Sequence, residues 1–363
     1  MCKSVQSVPV VFYKNMALKT IKPKDIKRLL IRSTNWVGDA IMTTPAIWAI
    51  RKGFPNAQIS ILVKPWVAPV FEHSPHRDNL IIYDGEGRHK GNFGKLRLAR
   101  DLRRYGFDAA ILLQNAFEAA LIAFLSGIPV RIGYNTDARQ MLLTHAISCT
   151  NEIKKEHQTK YYQNIISRIG MDAGNRDLYL QLSQEDRLRA GKILMEQGIS
   201  GDFKWVGINP SATFGPAKQW PIDRYARLAD LISEHTNARV IVFGGPQDGR
   251  LGKDISRKMR HRPIDLTGRT TLGEAMALIE RCGLFITNDS GLMHVAAALD
   301  VPLIAIFGST NSTTTGPLSS NSRVVQVPME CSPCLKPECP RGHLNCMDQI
   351  SVDMIFDVVK EIL

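Results

Sequence analysis

Strand-like apolar runs alternate with helical patterns almost from end to end of this chain, and one polar interval interrupts the rhythm. The first set of runs covers Arg28 to Arg32, Gln58 to Val63, Asn79 to Tyr83, Ala109 to Leu113, Val130 to Gly133 and His145 to Cys149. Helical patterns such as Phe93 to Tyr105 and Ala116 to Ser126 lie between them, and a longer one, Glu156 to Ile169, follows. Beyond a polar patch (Met171 to Asp177) and a helix over Gln184 to Gln197, the alternation restarts with Trp205 to Asn209, Arg239 to Gly244, Ile264 to Leu266, Leu284 to Thr287 and Leu303 to Phe307. Parallel strands need a crossover long enough to hold a helix, so such alternation predicts βαβ units and an α/β fold. The 363 residues suit two domains, with the boundary expected between residues 172 and 203. The expected division is a basic N-terminal extension (1–27), a Rossmann-like domain (28–175), a linker region (176–203), a second Rossmann-like domain (204–350) and a C-terminal helix (351–363) packing back on the first domain.

Two strand-to-helix turns carry the chemistry. In the second half, Asn288-Asp289-Ser290-Gly291-Leu292-Met293-His294 turns from a buried strand into a helix, with small polar residues and a glycine where the first helical N–H groups have no intrahelical partner. Such an end suits a phosphate or diphosphate; a plainly capped helix is the competing reading. In the first half, Arg32-Ser33-Thr34-Asn35-Trp36-Val37-Gly38-Asp39 makes a turn of the same kind. Gly38 allows a tight path, and Asp39 falls at or near a helix start, where a carboxylate is comfortable as base or as cap. One turn per half suggests two doubly wound domains facing a central cleft, since open α/β sheets bind ligands beyond the carboxyl ends of their strands.

Two further loops end strands of the second half. Asn209 to Pro221 carries Ser211, Thr213 and Lys218, the lysine just ahead of a helix start and within reach of an anion near Ser290 and Gly291. Phe243-Gly244-Gly245-Pro246-Gln247-Asp248 allows close approach of a base or ribose, with Asp248 as acceptor for ribose hydroxyls. His294, one turn into its helix, is expected neutral, touching a phosphate or packing under the loop. No loop matches a Walker or strict dinucleotide pattern, and no aspartate-any-aspartate pair is present to hold a diphosphate through a metal.

The net charge of +12 favours an acidic partner. Arg88, His89, Lys90, Lys95, Arg97, Arg100, Arg103 and Arg104 cluster around one first-half helix, either as a solvated face or as a surface for acidic sugars, phosphates or anionic lipid. No apolar run is long enough to span a bilayer and no cleavage site follows the first residues, so the expected location is cytoplasmic, with a peripheral position on the inner membrane as its extension. A nucleic-acid partner is disfavoured by 7% aromatic content and the lack of a nucleic-acid motif.

From about Lys27 to the C-terminus the chain resembles the ADP-heptose:lipopolysaccharide heptosyltransferases. The resemblance rests on Arg32 to Asp39 with Thr44-Pro45-Ala46, on Phe214-Gly215-Pro216-Ala217-Lys218 with Trp220-Pro221, on Asn288 to His294, and on the Cys-rich segment after Pro328, which is similar to the branch adding the second heptose. Gln219 stands where the family's loop usually has arginine. The resemblance implies a GT-B glycosyltransferase, with a lipid A-linked inner core acceptor on the first domain, ADP-heptose on the second, and no cofactor. Asp39 and Lys218 are then the expected catalytic pair, as base and leaving-group stabiliser. Thr213, Asp248, Asp289, Ser290, Gly291, Leu292 and His294 are expected around the donor, and Asn35 and Gly38 on the acceptor-side loop. Transfer would be inverting and metal-independent, to a core already carrying one heptose. First-heptose transfer, another nucleotide-sugar glycosyltransferase and an epimerase of the same fold are the alternatives. Cys331, Cys334, Cys339 and Cys346, with His343 nearby, offer either a small structural zinc site or reduced thiols packing a loop.

Overall fold

The computed structural model describes residues 21–174, 177–197 and 203–363. Two six-stranded sheets carry the described residues, and every strand pair is parallel. The first contains β1 (Arg28–Arg32), β2 (Gln58–Val63), β3 (Asn79–Ile82), β4 (Ala109–Leu112), β5 (Val130–Tyr134) and β6 (His145–Ile147), in the order β3-β2-β1-β4-β5-β6. The second contains β7 (Lys204–Asn209), β8 (Ala238–Val242), β9 (Ile264–Asp265), β10 (Cys282–Asn288), β11 (Leu303–Phe307) and β12 (Ser322–Gln326), in the order β12-β11-β10-β7-β8-β9. Counted from its own first strand, the second sheet repeats the order of the first. Both are doubly wound, and the winding direction reverses between β1 and β4 and between β7 and β10. Ligands of such sheets bind outside the carboxyl ends at that reversal.

The strands form where the apolar runs stand because both faces are covered. β1 buries Leu29 to Arg32, β4 all four of its residues and β11 all five. One apolar cluster runs from the first sheet through the Val37–Met42 helix into Met293, Val295 and Phe285 of the second domain, so the domains share packed surface as well as a cleft.

One expectation changes. The C-terminal helix, Val352–Ile362, packs on the second domain: Val352, Ile355 and Val359 join Trp220, Tyr225, Leu228 and Ile232 in one cluster. Its apolar stripe matches the nearby Ile222–His235 helix, and Trp220 Nε1 anchors the approach by donating to the Ile350 carbonyl at 2.9 Å. The helix expected over Glu156 to Ile169 is Gln158–Arg168, its start capped by His157, and a short helix, Asn151–Lys155, capped by Thr150, precedes it. Among the unforeseen elements are the edge strand β12 and the helices Asn151–Lys155 and Gly249–Lys258. Of the expected N-terminal extension, residues 1–20 lie outside the described residues, as do residues 176 and 198–202 of the expected linker; Gln184–Glu196 within it is a helix.

Candidate active site

The two strand-to-helix turns meet. Val37–Met42 follows β1 and Gly291–Ala298 follows β10, and their first turns touch across the domain boundary. The approach depends on glycine on both sides. A Cβ on Gly38 would lie 2.8 Å from His294 Cδ2 and 3.3 Å from the Gly291 Cα, and one on Gly291 would lie 3.3 Å from the Gly38 nitrogen. Neither Trp36 nor Ser290 caps its helix through a side chain, so the first-turn N–H groups of both helices keep their donor capacity.

Asp39 sits in the first turn of its helix. Burial pushes its carboxyl up to about 6; Lys218 of the other domain pulls it down and Asp289 pushes it up. Those three charged side chains therefore feel one another across the cleft. Lys218 Nζ donates to Asp289 Oδ2 at 2.6 Å, with the two side chains 14% and 6% exposed, and stands 4.8 Å from the centroid of the Phe214 ring. Asp289 thus grips the lysine directly. His294 is buried with its ring against Gly38; burial lowers its pKa to about 4, which leaves it neutral at pH 7, and Nδ1 has no partner.

The remaining predicted residues divide. Ser290 and Leu292 stand at the same helix start. Thr213 is exposed on the Lys218 loop. Asp248 is folded onto its own turn, Oδ2 accepting from the Gly245 N–H at 2.7 Å. Asn35 accepts from Arg32 Nη2 at 2.7 Å through its side chain and from Trp66 Nε1 at 2.8 Å through its carbonyl.

Sequence reasoning gave no role to the residues that hold these turns. Asn209, at the end of β7, donates to Thr287 Oγ1 at 3.1 Å and to Ser290 Oγ at 2.8 Å. Asn288 accepts from the Trp220 N–H and the Tyr225 hydroxyl and donates to the Pro210 carbonyl. Polar residues at the ends of otherwise apolar strands were the available signal. Arg139 had none: it is fully buried, donates to Tyr134 and Gln114 carbonyls and to Asn115, and pins the turn after β4. The basic cluster is partly neutralised, with Arg88, His89 and Arg104 around Asp101 and Lys95 on Glu118. Phe93 and Leu96 are exposed on the same helix as Lys95, Arg97 and Arg100.

Two doubly wound domains facing one cleft are the GT-B architecture. The model of glycosyltransferase family 9 (heptosyltransferase) matches residues 95–345, and the chain belongs to that family. Lipopolysaccharide heptosyltransferase 2 of Salmonella typhimurium is 30% identical over 93% of this chain and 98% of its own. Among solved structures, Escherichia coli ADP-heptose lps heptosyltransferase II is 26% identical with a TM-score of 0.77, covering 92% of this chain and 98% of that one. The family 9 glycosyl transferase from Veillonella parvula is also 26% identical, with a TM-score of 0.83, covering 93% and 97%.

Proposed function

We propose that this protein transfers heptose from ADP-heptose to the lipid A-linked, already heptosylated inner core of lipopolysaccharide, with inversion. The observation that carries the reading is the buried Asp39 facing the Lys218–Asp289 pair. Asp39 takes the proton of the acceptor hydroxyl as its oxygen bonds to the anomeric carbon. The bond from that carbon to the diphosphate breaks, and its electron pair leaves with ADP. Attack opposite the departing group inverts the centre. With a nucleotide already bound as leaving group, one base suffices. The developing charge falls on Lys218 and the N–H groups of Ser290 to Leu292, with Thr213 assisting, so the step needs no metal at the diphosphate.

On this reading residues 28–175 form the acceptor domain, with Asn35 and Gly38 lining its loop, and 204–350 the donor domain, where Asp248 serves the ribose. No helix among the described residues is long and apolar enough to cross a membrane. Phe93 and Leu96 beside Lys90, Arg97 and Arg100 support a peripheral position on an anionic bilayer on the cytoplasmic side. Liposome binding lost with rising salt is the expected result, and no binding at any salt rejects the membrane position.

The deciding experiment is ADP-heptose turnover with a core acceptor carrying one heptose against one carrying none. Turnover only with the heptosylated acceptor is expected. Equal or greater turnover with the bare core reassigns the protein to first-heptose transfer.

A further inference from the structure

The segment from Val327 to Leu344 forms no helix or strand and buries none of its residues, although it is longer than most structureless connections in a compact domain. Its path is nevertheless specific. Leu335 N–H donates to the Ser309 carbonyl at 2.8 Å and Ser332 Oγ to the Gly308 carbonyl at 2.5 Å. Leu335 and Leu344 both hold left-handed backbone, with φ of 57° and 50°, which costs a leucine about 1 kcal/mol or more and persists only where surroundings enforce it. A loop without a core of its own needs a cross-link to enforce such a path.

Four thiols stand where that cross-link belongs. Cys331, Cys334, Cys339 and Cys346 line one cavity of about 20 Å³, with room for about one water-sized guest. All four are free of disulfides.

We propose that these four cysteines form a tetrathiolate site for one tetrahedral, thiolate-preferring metal ion, zinc or iron, separate from the transfer chemistry. As the side chains stand, no three His, Cys, Asp or Glu residues among the described residues are placed to hold a metal ion. Closing the site takes rotation of the thiols into their shared cavity. Four S–H protons pass to solvent as four metal–sulfur bonds form. The site also braces the active-site loop: Pro337, between the second and third cysteines, accepts the Ala217 N–H at 3.0 Å, and its carbonyl lies 2.3 Å from where a Cβ on Gly215 would stand. Lys218 directly follows Ala217.

Elemental analysis of full-length protein purified under reducing conditions without added metal tests the site independently of activity. About one zinc or one iron per chain is expected, the analysis telling them apart. Protein stripped by chelator should take up cobalt and show the thiolate-to-cobalt charge transfer and visible bands of a tetrahedral sulfur site. Cys334→Ser and Cys346→Ser should lose most of the metal, while Cys282→Ser, in β10, keeps it. Wild-type protein with no metal as isolated and no stoichiometric uptake of zinc, iron or cobalt overturns the site, a result that needs no variant to fold. The bracing is read by ADP affinity, expected to weaken several-fold on metal removal and recover on reloading. Unchanged affinity overturns the bracing.

Discussion

The two rims that form the cleft have the same backbone design and opposite treatment of their polar atoms. On the second domain, Asn209, Thr287, Ser290 and Asn288 are tied together by hydrogen bonds and Lys218 is paired with Asp289, while His294 Nδ1, Ser309 Oγ and Thr310 Oγ1 stay unpaired. On the first domain, Arg32 Nε, Ser33 Oγ and Thr34 Oγ1 are buried without partners, and Asp39 is held protonated up to about pH 6 by burial. Each unpartnered buried polar group costs about 1–3 kcal/mol. One rim uses its polar groups in hydrogen bonds and an ion pair of its own, while the other leaves three consecutive residues with buried polar atoms unpaired, at a cost in stability.

The largest effect that would break this contrast is at Asp39. Asp39→Ala is expected to lose well over a hundredfold in turnover, within the range of about 10² to 10⁴ for a general base, while still binding ADP. Near-normal turnover removes Asp39 as base. Lys218→Met is expected to cost about a hundredfold in kcat and also to destabilise the fold by about 3 kcal/mol, because Asp289 is left buried and unpaired. The double variant Lys218→Met, Asp289→Asn should recover the stability in denaturant melts but not the turnover. Recovery of both would make the pair purely structural.

Smaller effects sharpen the contrast. Gly38→Ala is expected to lower kcat/KM by about tenfold, since its Cβ would sit 2.8 Å from the His294 ring and force the two helix starts apart. An unchanged value would show that the starts need not touch. In pH profiles, kcat/KM should fall as pH drops through about 6, where Asp39 gains its proton. The stability consequence has the opposite sign. A carboxyl raised on folding binds its proton more tightly in the native state, so stability falls as pH rises from about 4 through 6, by roughly 2–3 kcal/mol. Asp39→Asn should therefore be the more stable protein at pH 7.5; equal melts at pH 4 and 7.5 would contradict the burial. Smallest is a paired test: Ser33→Ala should be neutral or slightly stabilising, and Asn209→Ala destabilising by about 1–2 kcal/mol. Same-sign changes would erase the difference between the rims.

Much of this was legible beforehand because period and punctuation are local. Eleven of the twelve strands followed from apolar runs, and β12 escaped because Arg323 and Val324 are exposed on an edge, which leaves no continuous run. Asp39, Lys218 and Asp289 were named from the turns that carry them. That Asp289 would spend its charge on Lys218, and Asp248 on its own Gly245 N–H, was not legible, since an acceptor's partner is fixed by distances across the fold. Arg139 could not be found at all: nothing in a polar loop marks an arginine that is buried by the strands on either side.

The amino-acid order by itself determined which segments become strands, where each turns into a helix, and which charged and glycine residues fall on those turns, because side-chain periodicity and backbone freedom act over a few residues. The tertiary structure decided that Gly38 and Gly291 touch, that Asp39 is buried opposite a lysine nearly two hundred positions away, and that the last helix covers the second domain. Those outcomes depend on how two separately wound sheets pack, and close packing, desolvation and charge pairing act between neighbours in space, wherever they stand along the chain.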